Sequence, residues 1–125
     1  KNFVLTMSEQ SVRLTERDKI VEKVDTKVVE SVELPLQSSK NIYLRIDGDF
    51  RAGDSKTSGG FGPGRDLATF YYSLDGEQWT KIGNDYKMTF DWRRFFMGSK
   101  FAIFCYATKK AGGYVDVDNF VYSKQ

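Results

Sequence analysis

The sequence predicts an all-β domain, an antiparallel β-sandwich, on three observations. The chain has 125 residues, which suits a single domain over residues 1–125. Aromatic residues make up 15% of it, and Phe and Tyr favour the half-buried, pleated surface of a sheet. Turn residues separate short apolar runs at the spacing expected of a sandwich with roughly seven to eight strands.

Residues 1–36 admit two interpretations. Apolar residues alternate along the chain at 3–7, which indicates a strand. At 20–32 they recur at near-helical spacing, but most of them are valines, whose branched side chains favour strands. We therefore favour strands joined by a turn at 25–27, with a helix as the alternative.

A clear strand follows at 41–50, and its residues alternate between two faces. The apolar face carries Ile42, Leu44 and Ile46, and the polar face carries Tyr43 and Arg45. Residues 51–66 form a long Gly-rich loop, because glycines and small polar residues cannot support a regular element there. A loop of this length is either flexible or functional.

The strongest local signal lies at 67–82. Two strand-like runs flank Asp75-Gly76, a dipeptide typical of a tight hairpin. Gly83-Asn84-Asp85 predicts a further turn, and the next strand enters an irregular corner before Gly98.

A last hairpin is predicted from Phe96 to Phe120, with strands at 100–108 and 114–123 on either side of a Lys-Lys-Ala-Gly-Gly connection. Large rings occupy both faces of these strands, which is unusual for a half-solvated pair. The single cysteine, Cys105, lies mid-strand and is interpreted as a buried structural thiol.

Composition excludes several classes of function. The net charge is +2, from 19 basic and 17 acidic residues, which is too balanced for binding nucleic acid or an anionic membrane. No apolar run approaches the roughly 20 residues that span a bilayer. The chain has no histidine, so a Ser-His-Asp triad and a His-liganded zinc site are excluded.

Two pairs of carboxylates could carry chemistry. Asp47 with Asp49 and Asp116 with Asp118 are spaced so that each pair shares one face of a strand. A glycosidase needs two such acids, but solvated or ion-paired surface positions are the favoured interpretation. Asp116 and Asp118, with Asn119, also offer the oxygen ligands that a structural calcium ion prefers.

Aromatic residues are the candidates for carbohydrate binding, because sugars pack their C–H faces on rings while polar neighbours bond the hydroxyls. The candidate rings are Tyr43, Tyr71, Trp79, Trp92, Tyr106 and Tyr114. Arg93, beside Trp92, could grip a polysaccharide, although an ion pair at a domain-interface corner is the preferred interpretation.

Three segments in this order resemble a known family. YLRIDGDF, DLATFYYSLDGEQWTKIG and KMTFDWRRFFMGSKFAIFCYATKKAGGYVDVDNF resemble the C-terminal β-sandwich domain of glycoside hydrolase family 43 enzymes, which are β-xylosidases and α-L-arabinofuranosidases. The most specific pieces are FYYSLDG with its following Trp, the F-x-G before FAIFCYAT, and GGYVDVDNF. The resemblance covers residues 42–122.

The resemblance implies a concanavalin A-like jelly roll of two antiparallel sheets. It also implies a non-catalytic domain attached to an upstream β-propeller that holds the catalytic acids, so no catalytic residue is carried over to this chain. The parent protein would be a bacterial glycoside hydrolase, secreted or periplasmic. In some members this domain is regarded as a carbohydrate-binding module for xylan, so xylan or arabinoxylan is the expected ligand. In some β-xylosidases an aromatic residue of this domain closes the catalytic pocket, and the matching positions are Phe96 and its neighbour Phe95.

The family domain is longer, and its first strands would lie upstream of Lys1. The chain is therefore expected to be a fragment or a shortened sandwich, with open sheet edges that invite pairing with another chain. Two other functions stay open. One is an interdomain interaction module with no sugar affinity, and the other is an independent small hydrolase that uses the Asp pairs.

Overall fold

The computed structural model describes residues 2–15, 21–35, 41–50, 66–88 and 100–124. The chain forms two compact units, Lys1–Thr89 and Phe90–Gln125. Over the described ranges the structure has five strands and no helix, which confirms the predicted all-β class. Within the same ranges, no helix is available that could cross a membrane.

The first unit contains two antiparallel sheets. The strands are β1 (Asn2–Thr15), β2 (Val21–Pro35), β3 (Tyr43–Asp49), β4 (Leu67–Ser73) and β5 (Thr80–Lys87). Strands β1 and β2 form a two-stranded sheet, and β3, β4 and β5 form a three-stranded sheet with β4 in the centre.

The N-terminal region consists of strands, and the alternative of a helix is wrong. The predicted turn at 25–27 is also wrong, because Asp25–Lys27 lie within β2, opposite Glu9–Ser11 of β1. Much of the surface of a two-stranded sheet is exposed to water. A short run of polar residues can therefore lie within the strand, and no turn is needed there. The pairing register shifts once, between Met7 and Ser8.

The strand predicted at 41–50 is confirmed as β3, and the hairpin predicted at 67–82 is confirmed as β4 and β5. In the register of the sheet, Arg45 lies opposite Tyr71, and Ile46 lies opposite Phe70. Directly opposite residues share a face, so the polar and apolar faces of β3 continue onto β4.

The turn predicted at Gly83–Asp85 is wrong, because these residues lie inside β5. Ala68 pairs with Tyr86, and Phe70 pairs with Ile82, so the register shifts between these two pairs. This irregularity is a bulge, and glycine accommodates the local bend that a bulge requires.

The two sheets meet at Gly83, whose φ of 69° lies in the left-handed region. Its N–H donates a hydrogen bond of 2.6 Å to Oε2 of Glu30 in β2. The side chains of Met7 and Val29 occupy the space where a Cβ would stand. Within the described ranges, the buried apolar residues are Met7, Leu34, Ala68, Ile82 and Met88.

The second unit does not form the predicted hairpin where it is described. Residues 100–124 contain no strand and are exposed throughout, so the strands predicted there are wrong for this range. Cys105 is exposed as well, so its interpretation as a buried thiol is wrong. Alternation predicts which residues would share a face, but a strand also needs a hydrogen-bonded partner.

We expect Gly83→Ala to destabilise the protein by about 1–3 kcal/mol, because the new Cβ meets Met7 and a non-glycine residue is strained at this φ. Urea unfolding monitored by fluorescence measures the change. Gly113→Ala is the matched control, since a Cβ at that position has nothing within 4 Å. Equal stability of the two variants would contradict the role given to Gly83.

Candidate functional site

The structure brings two of the predicted carbohydrate-binding rings together, and a third belongs to the second unit. Tyr71 in β4 and Trp79, just before β5, both lie beside Arg45 of β3. Tyr114 belongs to the second unit and is exposed there. The predicted site residues outside the described ranges, for which the predictions stay open, are Trp92, Arg93, Phe95 and Phe96.

Arg45 is the centre of the site. Its guanidinium carbon lies 4.5 Å from the centroid of the Tyr71 ring and 5.1 Å from that of the Trp79 ring. A cation at this distance is attracted to the ring face by about 0.5–1 kcal/mol at an exposed position. The two contacts hold the guanidinium against a floor of aromatic carbon while its N–H groups stay near water.

Two ion pairs flank this floor on the outer strands. Nη2 of Arg45 donates to Oδ2 of Asp47 at 2.8 Å, and Nζ of Lys81 donates to Oδ1 of Asp85 at 2.7 Å. Asp47 is therefore an ion-paired surface residue, which agrees with the favoured interpretation of this carboxylate. We call this surface the polar face, and its members are Arg45, Asp47, Thr69, Tyr71, Trp79, Lys81 and Asp85.

The electrostatics of the polar face are balanced, with two cations and two carboxylates. The hydrogen bond from Lys81 lowers the pKa of Asp85 below its ordinary value, and Thr69, whose Oγ1 donates at 3.0 Å, adds to the effect. The same hydrogen bond to Asp85 raises the pKa of Lys81. Both groups are thus charged at neutral pH and hold each other in place.

The loop between β4 and β5 determines where Trp79 stands. Oδ1 of Asp75 accepts hydrogen bonds from the backbone N–H groups of Gln78 at 2.8 Å and Glu77 at 2.9 Å. The hydroxyl of Ser73 also donates to Oδ1 of Asp75 at 2.8 Å. These bonds lower the pKa of the Asp75 carboxyl, with the one from Gln78 contributing most. The carboxylate therefore fixes the residue directly before Trp79.

Gly76 completes this loop with a φ of 79°. A Cβ at this position would lie 3.4 Å from the Tyr43 ring, so this ring packs against the loop backbone. Tyr43, another candidate ring, thus supports the loop that carries Trp79.

The acidic residues of the second unit, Asp116 and Asp118, are exposed. No group of three or more acidic or cysteine side chains suited to a metal ion occurs in the ranges that the structure describes. The calcium site at these two residues stays a prediction. In the same unit, the ring of Tyr106 stacks on Phe104 with the centroids 5.8 Å apart.

Sequence reasoning missed Arg45 and Lys81 as members of the site. Alternation placed Arg45 on the polar face of its strand, but the strand alone does not show which rings lie opposite. That information resides in the register, which pairs Arg45 with Tyr71 and Tyr71 with Lys81.

Comparison with known proteins gave one finding. A family model described as the beta xylosidase C-terminal concanavalin A-like domain matches residues 2–123. The match confirms the predicted resemblance and the concanavalin A-like class of the sandwich. Searches of curated proteins and of solved structures each returned no match.

We expect the Asp75 carboxylate to make stability depend on pH. Its pKa in the folded state lies below the ordinary value of 3.8, so its contribution is complete above that pH and is lost as the pH falls through the folded-state pKa. Asp75→Asn should therefore lower the melting temperature at pH 7 by a few degrees and flatten its decline in acid. Thermal unfolding between pH 7 and pH 2.5 is the measurement.

Glu77→Gln is the control for this experiment, because it removes a carboxylate from the same loop and leaves the Asp75 acceptor intact. If the difference in melting temperature between wild type and Asp75→Asn stayed constant down to the lowest pH, the hydrogen bonds assigned to the Asp75 carboxylate would be contradicted.

Proposed function

Because the chain belongs to the family of beta xylosidase C-terminal concanavalin A-like domains, we propose that it binds a neutral plant polysaccharide, such as xylan or arabinoxylan, through its polar face. In this proposal the chain is a non-catalytic accessory domain of a glycoside hydrolase. The catalytic acids belong to an adjoining β-propeller domain.

The observation that carries the proposal is the packing of Arg45 on Tyr71 and Trp79. A sugar ring presents apolar C–H groups on its faces and hydroxyls around its rim. The rings of Tyr71 and Trp79 suit the C–H faces of the sugar, and the donors and acceptors of the flanking ion pairs suit its hydroxyls. Arg45 offers N–H donors in a fixed plane, while Asp47 offers carboxylate acceptors.

The balance of charge favours a neutral ligand. Each cation of the polar face already lies against a carboxylate, so an anionic sugar would have to displace Asp47 or Asp85 to reach it. A neutral sugar can instead exchange hydrogen bonds with both members of each pair. Xylose and arabinose, which carry no charge, meet this condition.

Polysaccharide of the plant cell wall lies outside the cell that degrades it. The proposal therefore includes a secreted or periplasmic location for the parent enzyme. A soluble accessory domain would hold the enzyme near its insoluble substrate, which raises the local concentration of cleavable chains without any chemistry of its own.

A module that only contacts a neighbouring domain is the alternative function. Half-buried rings and paired charges on a sheet also suit a protein surface, since non-obligate interfaces resemble the rest of the surface in polarity. The two functions differ in whether the isolated chain retains a polysaccharide.

Affinity electrophoresis in gels with xylan or arabinoxylan tests the proposal. We expect the wild type to be retarded, and we expect Tyr71→Ala and Trp79→Ala to weaken the affinity about tenfold each, because each removes part of the stacking floor. Tyr71→Phe keeps the ring and should bind nearly as well as the wild type.

Tyr122→Ala is the matched control, because it removes an exposed Tyr ring from the second unit. Circular dichroism establishes that each variant is folded. Absence of retardation for the wild type on either polysaccharide would overturn the proposal and favour the interdomain module. Equal losses of affinity in Tyr71→Ala and Tyr122→Ala would show that the polar face is not the binding surface.

A further inference from the structure

Arg45 and Asp47 form a donor–acceptor pair beside the two rings of the polar face. They stand two residues apart on β3, so both side chains project from the same face of the strand. Nη2 of Arg45 donates to Oδ2 of Asp47 at 2.8 Å, and the two side chains are 42% and 50% exposed. A ligand that rests on Tyr71 and Trp79 can therefore reach both the donors of a held guanidinium and an accessible carboxylate.

The chemistry of this pair is suited to two hydroxyls that stand side by side. A guanidinium carries several N–H donors in one plane and no acceptor, whereas an ionised carboxylate only accepts hydrogen bonds. A hydroxyl both donates and accepts, so either group can bind one. Two neighbouring hydroxyls can use both groups at once, because one accepts from Arg45 while the other donates to Asp47. Adjacent ring carbons of a sugar present such a vicinal diol.

The second ion pair of the polar face is less suited to this task. Thr69 and Lys81 both donate to Oδ1 of Asp85, at 3.0 and 2.7 Å, so two donors already engage that oxygen. The ammonium of Lys81 is also a point charge, without the planar fork of a guanidinium. The cation that lies over both rings is Arg45.

On this basis, and resting on the proposed function, we infer that Arg45 and Asp47 determine the specificity of the polar face by recognising a vicinal diol. The bound sugar packs a C–H face on the rings of Tyr71 and Trp79. One of its hydroxyls accepts from Arg45, and the neighbouring hydroxyl donates to Asp47. A backbone of 1,4-linked xylose meets this requirement, because each unit keeps adjacent hydroxyls at its second and third carbons. A 1,3-linked backbone does not, because the glycosidic bond occupies the middle one of the three positions.

Pull-down of the protein on insoluble 1,4-linked and 1,3-linked xylan tests the inference. Both polymers are neutral and contain the same sugar ring, so the vicinal diol is present in one and absent from the other while stacking stays available in both. We expect the wild type to bind the 1,4-linked polymer about tenfold more tightly, a difference of the size that one or two hydrogen bonds contribute.

Two substitutions determine whether these side chains carry the preference. Arg45→Lys keeps the positive charge but loses the planar fork, and Asp47→Asn keeps the size but replaces a carboxylate oxygen by an amide donor. Each should reduce the preference to about twofold or less, through weaker binding of the 1,4-linked polymer alone. Asp116→Asn is the matched control, because it makes the same change at an exposed position of the second unit and should keep the preference of the wild type.

Equal affinity of the wild type for the two polymers would overturn the inference and leave the proposed function standing. The inference would also be overturned if Arg45→Lys and Asp47→Asn weakened binding to both polymers by the same factor, since that result indicates a merely structural role for the pair. Retention of the wild type on neither polymer would overturn the proposed function, and the inference with it.

Discussion

The contact at Gly83 is the constraint on which the first unit depends. The N–H of Gly83 donates a hydrogen bond to Glu30, and the absence of a side chain leaves room for Met7, so the sheet of β1 and β2 is fixed to β5 at this point. The left-handed backbone there also bends β5 and shifts its register. Thr69 and Lys81 consequently both reach Asp85. One backbone irregularity thus joins the sheets and builds one end of the polar face.

The ion pairs of the polar face orient its side chains more than they stabilise the fold. Exposed ion pairs contribute little to the free energy of folding, because water competes for both partners. What they provide is a fixed direction for the guanidinium of Arg45, which Asp47 holds from one side and two rings hold from below. A donor group that is held before binding loses less conformational entropy when a ligand arrives.

The sequence was sufficient for features that depend on neighbouring residues. Alternation identified the two faces of β3, and Asp75-Gly76 identified the β4–β5 hairpin, although its connection is longer than a tight turn. Features that depend on distant contacts were not predictable. Gly83–Asp85 resembles a turn in sequence, but contact with β2 makes it a bulge.

The errors in the second unit and in the site have a related cause. The run at 100–108 has the alternation of a strand, yet alternation carries no information about a partner, and the described chain forms none there. Trp79 and Tyr71 were identified as candidate rings from residue type alone. Arg45 was not, because its role follows from the register of β3 against β4.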